Sequence, residues 1–253
     1  MIAFIKKEIM EHTRTGKLII LGSIFLFIGI LNPLMAKLTP KLFEMMADEL
    51  KESGIVATAV DPTALDSWTQ FYKNISMALI AFVMVEAGIF TKEYSSGTLV
   101  ITLTKGLSRT KVYISKALML IGLWTLCFWM CFGVTYGYSA YYWDNSIVHH
   151  IFGAALLWWI FGLWIMAMML LFSAMSSSIS GVLLGTGGLV IVTIILSALP
   201  KIKDYAPSVL MSGAEMIKGN GSPADHATVL VYVIIMSIAF VIGGIVIFRK
   251  RAL

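Results

Sequence analysis

Charge is what this sequence has least of. Only 13% of its 253 residues are charged and 58% are hydrophobic, against roughly a quarter charged in soluble domains. A soluble globular chain is excluded. The stretches outside the apolar blocks are each no longer than about 40 residues, which is marginal for an independently folding domain. Cysteine is scarce too. Cys127 and Cys131 stand four apart inside an apolar run, so they build no disulfide framework and read as small packing residues. A cleavable signal peptide is not expected. The first 17 residues are interrupted by charge, and the block Leu18–Leu31 lacks a small-residue cleavage motif, so it reads as a retained helix.

Catalytic signatures are missing as well. A phosphate loop needs Gly-x-x-x-x-Gly-Lys-Ser/Thr. Here Gly16-Lys17 is followed by Leu18, with Glu11 where the first glycine belongs, so nucleotide hydrolysis by this chain is not expected. Neither a His-Glu-x-x-His pattern nor a Gly-x-Ser-x-Gly elbow occurs. We expect no catalytic residue and no metal site. The adjacent His149 and His150 have no ligand partners nearby in sequence, and a metal needs three or four. Glu86 is the lone acid inside an apolar block, and an intramembrane acid is a functional candidate by default. It can snorkel, face the bundle, or pair with Lys92 or a partner helix. A lone acid near an interface supports packing or gating better than proton transfer.

What the chain does have is long apolar runs. A bilayer core is crossed by about 20 helical residues, and six runs meet that length: 18–36, 74–91, 112–137, 151–172, 181–199 and 227–248. The expected fold class is an all-α membrane protein, one domain over 1–253. Residues 1–17, with Ile2, Ile5 and Ile9 among Lys6, Lys7, Glu8, Glu11 and Arg14, read as an amphipathic interfacial helix; a solvated start of the first span is the alternative. Segments 37–73 and 200–226 are polar and expected outside. In the first, Thr39-Pro40 signals a helix start, with Leu42, Met46 and Leu50 repeating at helical spacing. The aromatic cluster Tyr136, Tyr138, Tyr141, Tyr142 and Trp143 suits a membrane interface, with substrate stacking as the alternative. The serine-rich turn Ser173–Ser180 makes the fourth and fifth spans antiparallel neighbours.

Charge placement sets the sidedness. Lys6, Lys7, Arg14 and Lys17 precede the first span. Lys92, Lys105, Arg109, Lys111 and Lys116 cluster between the second and third, and Arg249, Lys250 and Arg251 end the chain. The remaining lysines (Lys37, Lys41, Lys51, Lys73, Lys201, Lys203, Lys218) spread over longer segments. The positive-inside rule puts both termini and the 92–111 connection in the cytosol. The net charge of +5 is thus explained by topology, without nucleic acid.

That connection carries Glu93, then Gly97-Thr98-Leu99, then Ser108-Arg109, and Lys116 opening the third span. Thr91 or Ser95 can cap a short helix with a Val100, Leu103, Leu107 stripe; Gly106 can end it, and Ser108 can cap the next helix. A short amphipathic helix of this kind is a docking element for a partner groove. The segment resembles the signature of ABC-2-type transporter permeases, and the interfacial helix, six spans and outer segment before the last span extend the likeness over nearly the whole chain. Many members carry proline before the Ser-Arg turn; this chain has Lys105-Gly106-Leu107, which points to a bacterial export or immunity subgroup.

The resemblance implies a permease with no cofactor of its own, coupled through Glu93, Gly97, Thr98, Leu99, Leu103, Ser108 and Arg109 to two copies of an ATP-binding subunit that holds ATP and Mg. It implies a second permease chain, identical or paralogous, and a multi-pass place among the lipids of a bacterial plasma membrane. Gly181 and Gly185 present a small-residue face that can serve that dimer or internal packing. The few polar groups within the spans, and the bulky Met166, Met168, Met169, Trp158, Trp159 and Trp164, suit an adaptable path for amphipathic peptide cargo; single side chains of this set can equally face lipid. Rival expectations are a non-pumping sensor or immunity protein, export of a lipid-linked substrate, and an intramembrane enzyme, for which the paired acids or histidines are missing.

Overall fold

The computed structural model describes residues 2–45, 61–104, 106–199, 202 and 205–251. It is 85% helical with no strand among the described residues. The ten α-helices there are α1 (Ile2–Arg14), α2 (Lys17–Met45), α3 (Ala64–Glu86), α4 (Thr91–Ser96), α5 (Thr98–Thr104), α6 (Arg109–Tyr142), α7 (Ile151–Met175), α8 (Ile179–Ser197), α9 (Gly213–Met216) and α10 (Ala227–Lys250). Six of the helical stretches are long and apolar enough to cross a membrane: Lys17–Lys41, Ala64–Ser96, Arg109–Tyr142, Ile151–Met175, Ile179–Ser197 and Pro223–Lys250. The chain is an all-α membrane protein.

The spans fall into two groups joined at α6 and α7. In the first, α2 packs on α3 and α6; in the second, α7 packs on α8 and α10. Edge-on aromatic contacts join the first group, with Phe25, Phe82 and Trp124 ring centroids 5.5–6.3 Å apart. The seam between groups is closed by indole donors. Trp124 Nε1 donates to the carbonyl of Trp159 at 3.1 Å, and Trp159 Nε1 donates to Thr125 Oγ1 at 3.2 Å. Water is absent from a bilayer core, so such donors need protein partners.

Two expected boundaries move. The helix expected to start at Thr39-Pro40 is the end of α2, which runs on through Pro33 and Pro40. Thr39 folds its hydroxyl back onto the carbonyl of Met35 at 2.6 Å rather than capping a new helix. Proline removes the donor to the carbonyl four residues earlier, and for Pro33 that carbonyl belongs to Gly29. Thr135 of α6 supplies the missing donor, its hydroxyl 3.1 Å from Gly29 O. Thr135 Oγ1 itself accepts from Asn32 Nδ2 at 3.0 Å, and Asn32 Oδ1 accepts from Asn74 Nδ2 at 2.9 Å. This buried chain ties α2, α3 and α6 together. The second correction is that α3 begins at Ala64, well before the expected 74, because the Thr63 N–H and hydroxyl both donate to Asp66, at 2.8 and 2.9 Å. Met46 and Leu50, and the side chains of Ile2, Leu42 and Val100, lie outside the described residues.

The most buried span is α7. Trp158, Trp164, Met166, Met168 and Met169 are at most 1% exposed, so these side chains neither line an open path nor face lipid; they fill the core. Trp159, half-buried, lines an apolar groove with Ile160 and Leu163. The free Cys127 and Cys131 are buried packing residues. Residues 205–226 do not hang free either. Leu210, Met216 and Ile217 are buried, and Trp158 Nε1 donates to the carbonyl of Met211 at 3.2 Å.

Candidate functional site: a tethered connection over a buried ion cluster

The described residues of the 91–109 connection that were singled out above lie at the end of the bundle that carries α1 and the last turn of α10; Lys105 lies outside the described residues. The α1 helix lies across this end, presenting Phe4, Glu8 and His12 inward at successive helical turns, all three buried. On the face expected to dip into the membrane, Ile9 points outward and Ile5 is half-buried. The inward face is polar, and its function is ionic.

Two connected groups of charges hold α1 down. Lys116 of α6 meets Glu8 at 2.8 Å and Glu93 of α4 at 3.3 Å, all three nearly inaccessible. Lys7 reaches Glu8 at 3.2 Å and Glu11 and Glu93 at 3.0 Å. One turn further on, Glu86 of α3 accepts from His12 Nε2 at 3.1 Å and from Lys17 Nζ at 3.2 Å. Glu86 therefore faces the bundle and pairs with α1 and α2, not with Lys92, whose exposed chain lies along Gly88. The carboxylates of Glu8, Glu11 and Glu93 lie within 4.8 Å of one another, a spacing that suits a cation, and the Lys7 ammonium supplies it. With His12 charged, Lys7, His12, Lys17 and Lys116 balance Glu8, Glu11, Glu86 and Glu93.

Geometry favours that charge. His12 Nδ1 faces the carbonyl of Glu8 at 2.9 Å and Nε2 faces the Glu86 carboxylate. The carbonyl accepts, and so does Glu86 as a carboxylate, so this arrangement suits a ring protonated on both nitrogens. Burial pushes the His12 pKa down and Lys17 adds to this, but the Glu86 bond and charge, with the Glu8 carbonyl, outweigh them and hold it above the ordinary value. For Lys7, burial likewise pushes down, and Glu93, Glu8 and Glu11 more than reverse it. Burial raises Glu11, and Lys7 overrides it, leaving that carboxyl below its usual range.

The connection itself is two short helices hinged by glycine. Gly97, between α4 and α5, has φ +66°, and Gly106, after α5, has φ +89°, left-handed values that side chains disfavour. Glu93 turns inward to the cluster. Leu99 is buried, Leu103 and Leu107 are half-buried, and Ser95, Ser96, Gly97 and Thr98 form an exposed tip. Ser108 caps α6, its hydroxyl accepting from the Lys111 N–H at 3.4 Å. Arg109 points to the far end of the chain. Its Nη1 donates to the carbonyls of Phe248 at 3.4 Å, Arg249 at 3.2 Å, and Arg251, satisfying carbonyls that a helix end leaves unpaired. Arg251 in turn donates to Ala174 O at 2.6 Å, Ser176 O at 3.1 Å and Ser177 Oγ at 2.5 Å, at the end of α7. Its guanidinium stands 4.1 Å from the Tyr94 ring.

The connection that follows α3 is thus held to α1 and α6 through Glu93 and, at its far end, to α10 through Arg109. The chain belongs to the DUF2705 family. The family, described as a protein family of unknown function, matches residues 52–253. The match takes in Glu86, Glu93, Arg109 and Lys116, whereas Glu8, His12 and Lys17 precede it. No curated protein and no solved structure matches this DUF2705 chain.

Not every expected site residue joins this assembly. Gly181 and Gly185 lie on α8 and face inward. A side chain at Gly185 would collide with Phe172 of α7, and one at Gly181 with Ser176. Of the two readings open for this pair, a dimer face or internal packing, these contacts fit packing within one chain. Sequence reasoning missed Lys7, Glu8, His12 and Lys17. The available signal was the spacing of Phe4, Glu8 and His12, together with the need of an intramembrane Glu86 for a cationic partner.

Proposed function

We propose that this DUF2705 chain is the permease subunit of an ATP-binding cassette exporter in a bacterial plasma membrane, with both termini in the cytoplasm. A separate subunit, present twice, hydrolyses ATP with Mg. Two permease chains pair, and the cargo is amphipathic, peptide in preference to lipid-linked molecules. The chain itself does no catalysis.

One observation carries this reading: the connection between the second and third spans has both ends locked into the bundle and its tip, Ser95–Thr98, exposed. Anything gripping that tip pulls on α1 and α6 through Glu93 and on α10 through Arg109. A connection that merely closed a turn would need neither the buried ion pairs nor the tether. The likeness of Glu93, Gly97-Thr98-Leu99 and Ser108-Arg109 to the ABC-2 pattern supports the same conclusion. A short helix seated in a partner groove is a common recognition mode.

The test is co-purification. The tagged chain, expressed from its native locus and extracted in mild detergent, is expected to bring down an ATP-binding subunit, and Thr98→Glu is expected to release it. A non-pumping sensor predicts no such subunit. Sidedness is checked with Ser96→Cys in a Cys127→Ala, Cys131→Ala background. A membrane-impermeant maleimide should label it only in opened membranes; labelling of intact cells would place the tip outside and overturn the reading.

A further inference from the structure

At the end of the bundle opposite the termini lies an open cavity of about 880 Å³ lined by Tyr136, Trp143, Asp144, His150 and Phe152 among others. Its volume falls within the range of small-ligand and peptide-side-chain sites, about 300–1,000 Å³. The lining is held rigidly. Asn145 accepts from Trp68 Nε1 at 3.2 Å and donates to the Tyr136 carbonyl at 3.3 Å. Asp144 accepts from the Ser146 N–H at 2.8 Å and from its hydroxyl at 2.6 Å.

One Asn145 amide N–H is spent on the Tyr136 carbonyl near the end of α6, and the Ser146 N–H and hydroxyl are spent on Asp144. What faces the opening is the Asp144 carboxylate, held below its usual range by the Ser146 hydroxyl and N–H, together with aromatic rings. Tyr136 is 37% and Phe152 60% exposed, with centroids 5.8 Å apart. The rim already holds one ammonium: Lys37 Nζ sits 3.8 Å from the Tyr142 ring, which packs on Trp143 at 5.6 Å. A carboxylate beside π faces suits a cation, and the apolar Ile151 and Phe152 suit one carried on an amphipathic body.

We propose that this cavity binds the lysine or arginine side chains of a cationic amphipathic peptide, with Asp144 as counter-ion and Tyr136, Trp143 and Phe152 as the aromatic walls. The proposal deepens the peptide-export reading and rests on it only for the cargo's being a peptide; the site needs no ATP-binding subunit.

The test uses the purified full-length chain in neutral maltoside micelles at pH 7.5, with empty micelles as blank, and a fluorescent 18-residue helical peptide of leucine and lysine. Anisotropy gives Kd. Asp144→Asn is expected to weaken binding about threefold, and Asp144→Asn with Trp143→Leu about tenfold. Glu215→Gln, an exposed acid at the same end, should leave it unchanged, and a leucine–glutamate peptide should bind at least about tenfold more weakly. Equal binding by Asp144→Asn overturns the site, as does equal loss in Glu215→Gln, which would reduce the effect to net charge. Failure here, with an ATP-binding subunit still co-purifying, leaves the permease reading standing. Binding with the expected losses but no such subunit leaves the site standing and removes the pump.

Discussion

His12 of α1 donates to Glu86 of α3 across 3.1 Å while its other ring nitrogen donates to the Glu8 carbonyl at 2.9 Å. This is an imidazolium held between two acceptors at the seam between the terminal helix and the spans. Its raised pKa gives a direction to the pH response. A group whose folded pKa exceeds its unfolded value of about 6.5 contributes its full stabilisation below that value and loses it as pH climbs through the raised folded pKa. Docking of α1 is therefore expected to be firmest in mild acid and to loosen as the pH rises through that raised value. Amide exchange over residues 4–14 in detergent reports this, rising with pH beyond the intrinsic rate in the wild type. In His12→Gln the excess should vanish. An unchanged excess in that variant would assign the pH response to another group.

How much of this was legible beforehand follows from the kind of force involved. The six apolar spans are a property of composition, and composition is additive along the chain. The cap at Ser108 and the hinge at Gly106 are local, set by residues within one turn, and they too could be read directly. The ion cluster is not local. Glu93 reads as an exposed docking residue until α1 and α6 are brought beside it, and nothing in the immediate sequence says that Lys116 and Glu8 meet. Likewise Pro40 looks like a helix start, because the local signal cannot register that α2 continues past it. The burial of α7 left a trace that was misread: a helix apolar on all sides is an interior helix as readily as a lipid-facing one.

The Lys116–Glu8 pair supplies the second prediction. Both side chains are at most 3% exposed, so removing Lys116 leaves buried Glu8 and Glu93 to share Lys7 as their remaining counter-ion, at a cost of up to about 3–5 kcal/mol. Lys116→Met alone is expected to destabilise strongly. Glu8→Gln with Lys116→Met should recover much of the loss, because no uncompensated charge then remains at Glu8. Thermal unfolding followed by tryptophan fluorescence gives the cycle; additive losses would show that the two residues act independently.

Thr135 stands in for the amide that Pro33 lacks. Thr135→Val removes the donor to Gly29 O and the acceptor for Asn32 while keeping the shape, so the cost is expected to be about 1–2 kcal/mol. Thr135→Ser should keep most of the stability. If valine and serine behave alike, the hydroxyl does not replace the missing amide.

Arg109 and the tip of the connection separate anchoring from docking. Arg109 satisfies the carbonyl end of α10, so Arg109→Ala should fray residues 247–251, seen as faster amide exchange there. Arg109→Lys, with a single ammonium, should hold fewer of these carbonyls and fall between. Thr98 is exposed at the tip, so Thr98→Glu should leave exchange at 247–251 and the unfolding midpoint unchanged while abolishing recovery of the ATP-binding subunit. The two variants thus probe opposite ends of one connection: Arg109→Ala loosens the permease with the tip chemically intact, and Thr98→Glu blocks the tip with the permease intact. Should Thr98→Glu unfold the bundle, the tip would be a packing element and the lost partner a consequence of misfolding. Should it neither unfold the bundle nor release the partner, the grip would lie elsewhere on the protein.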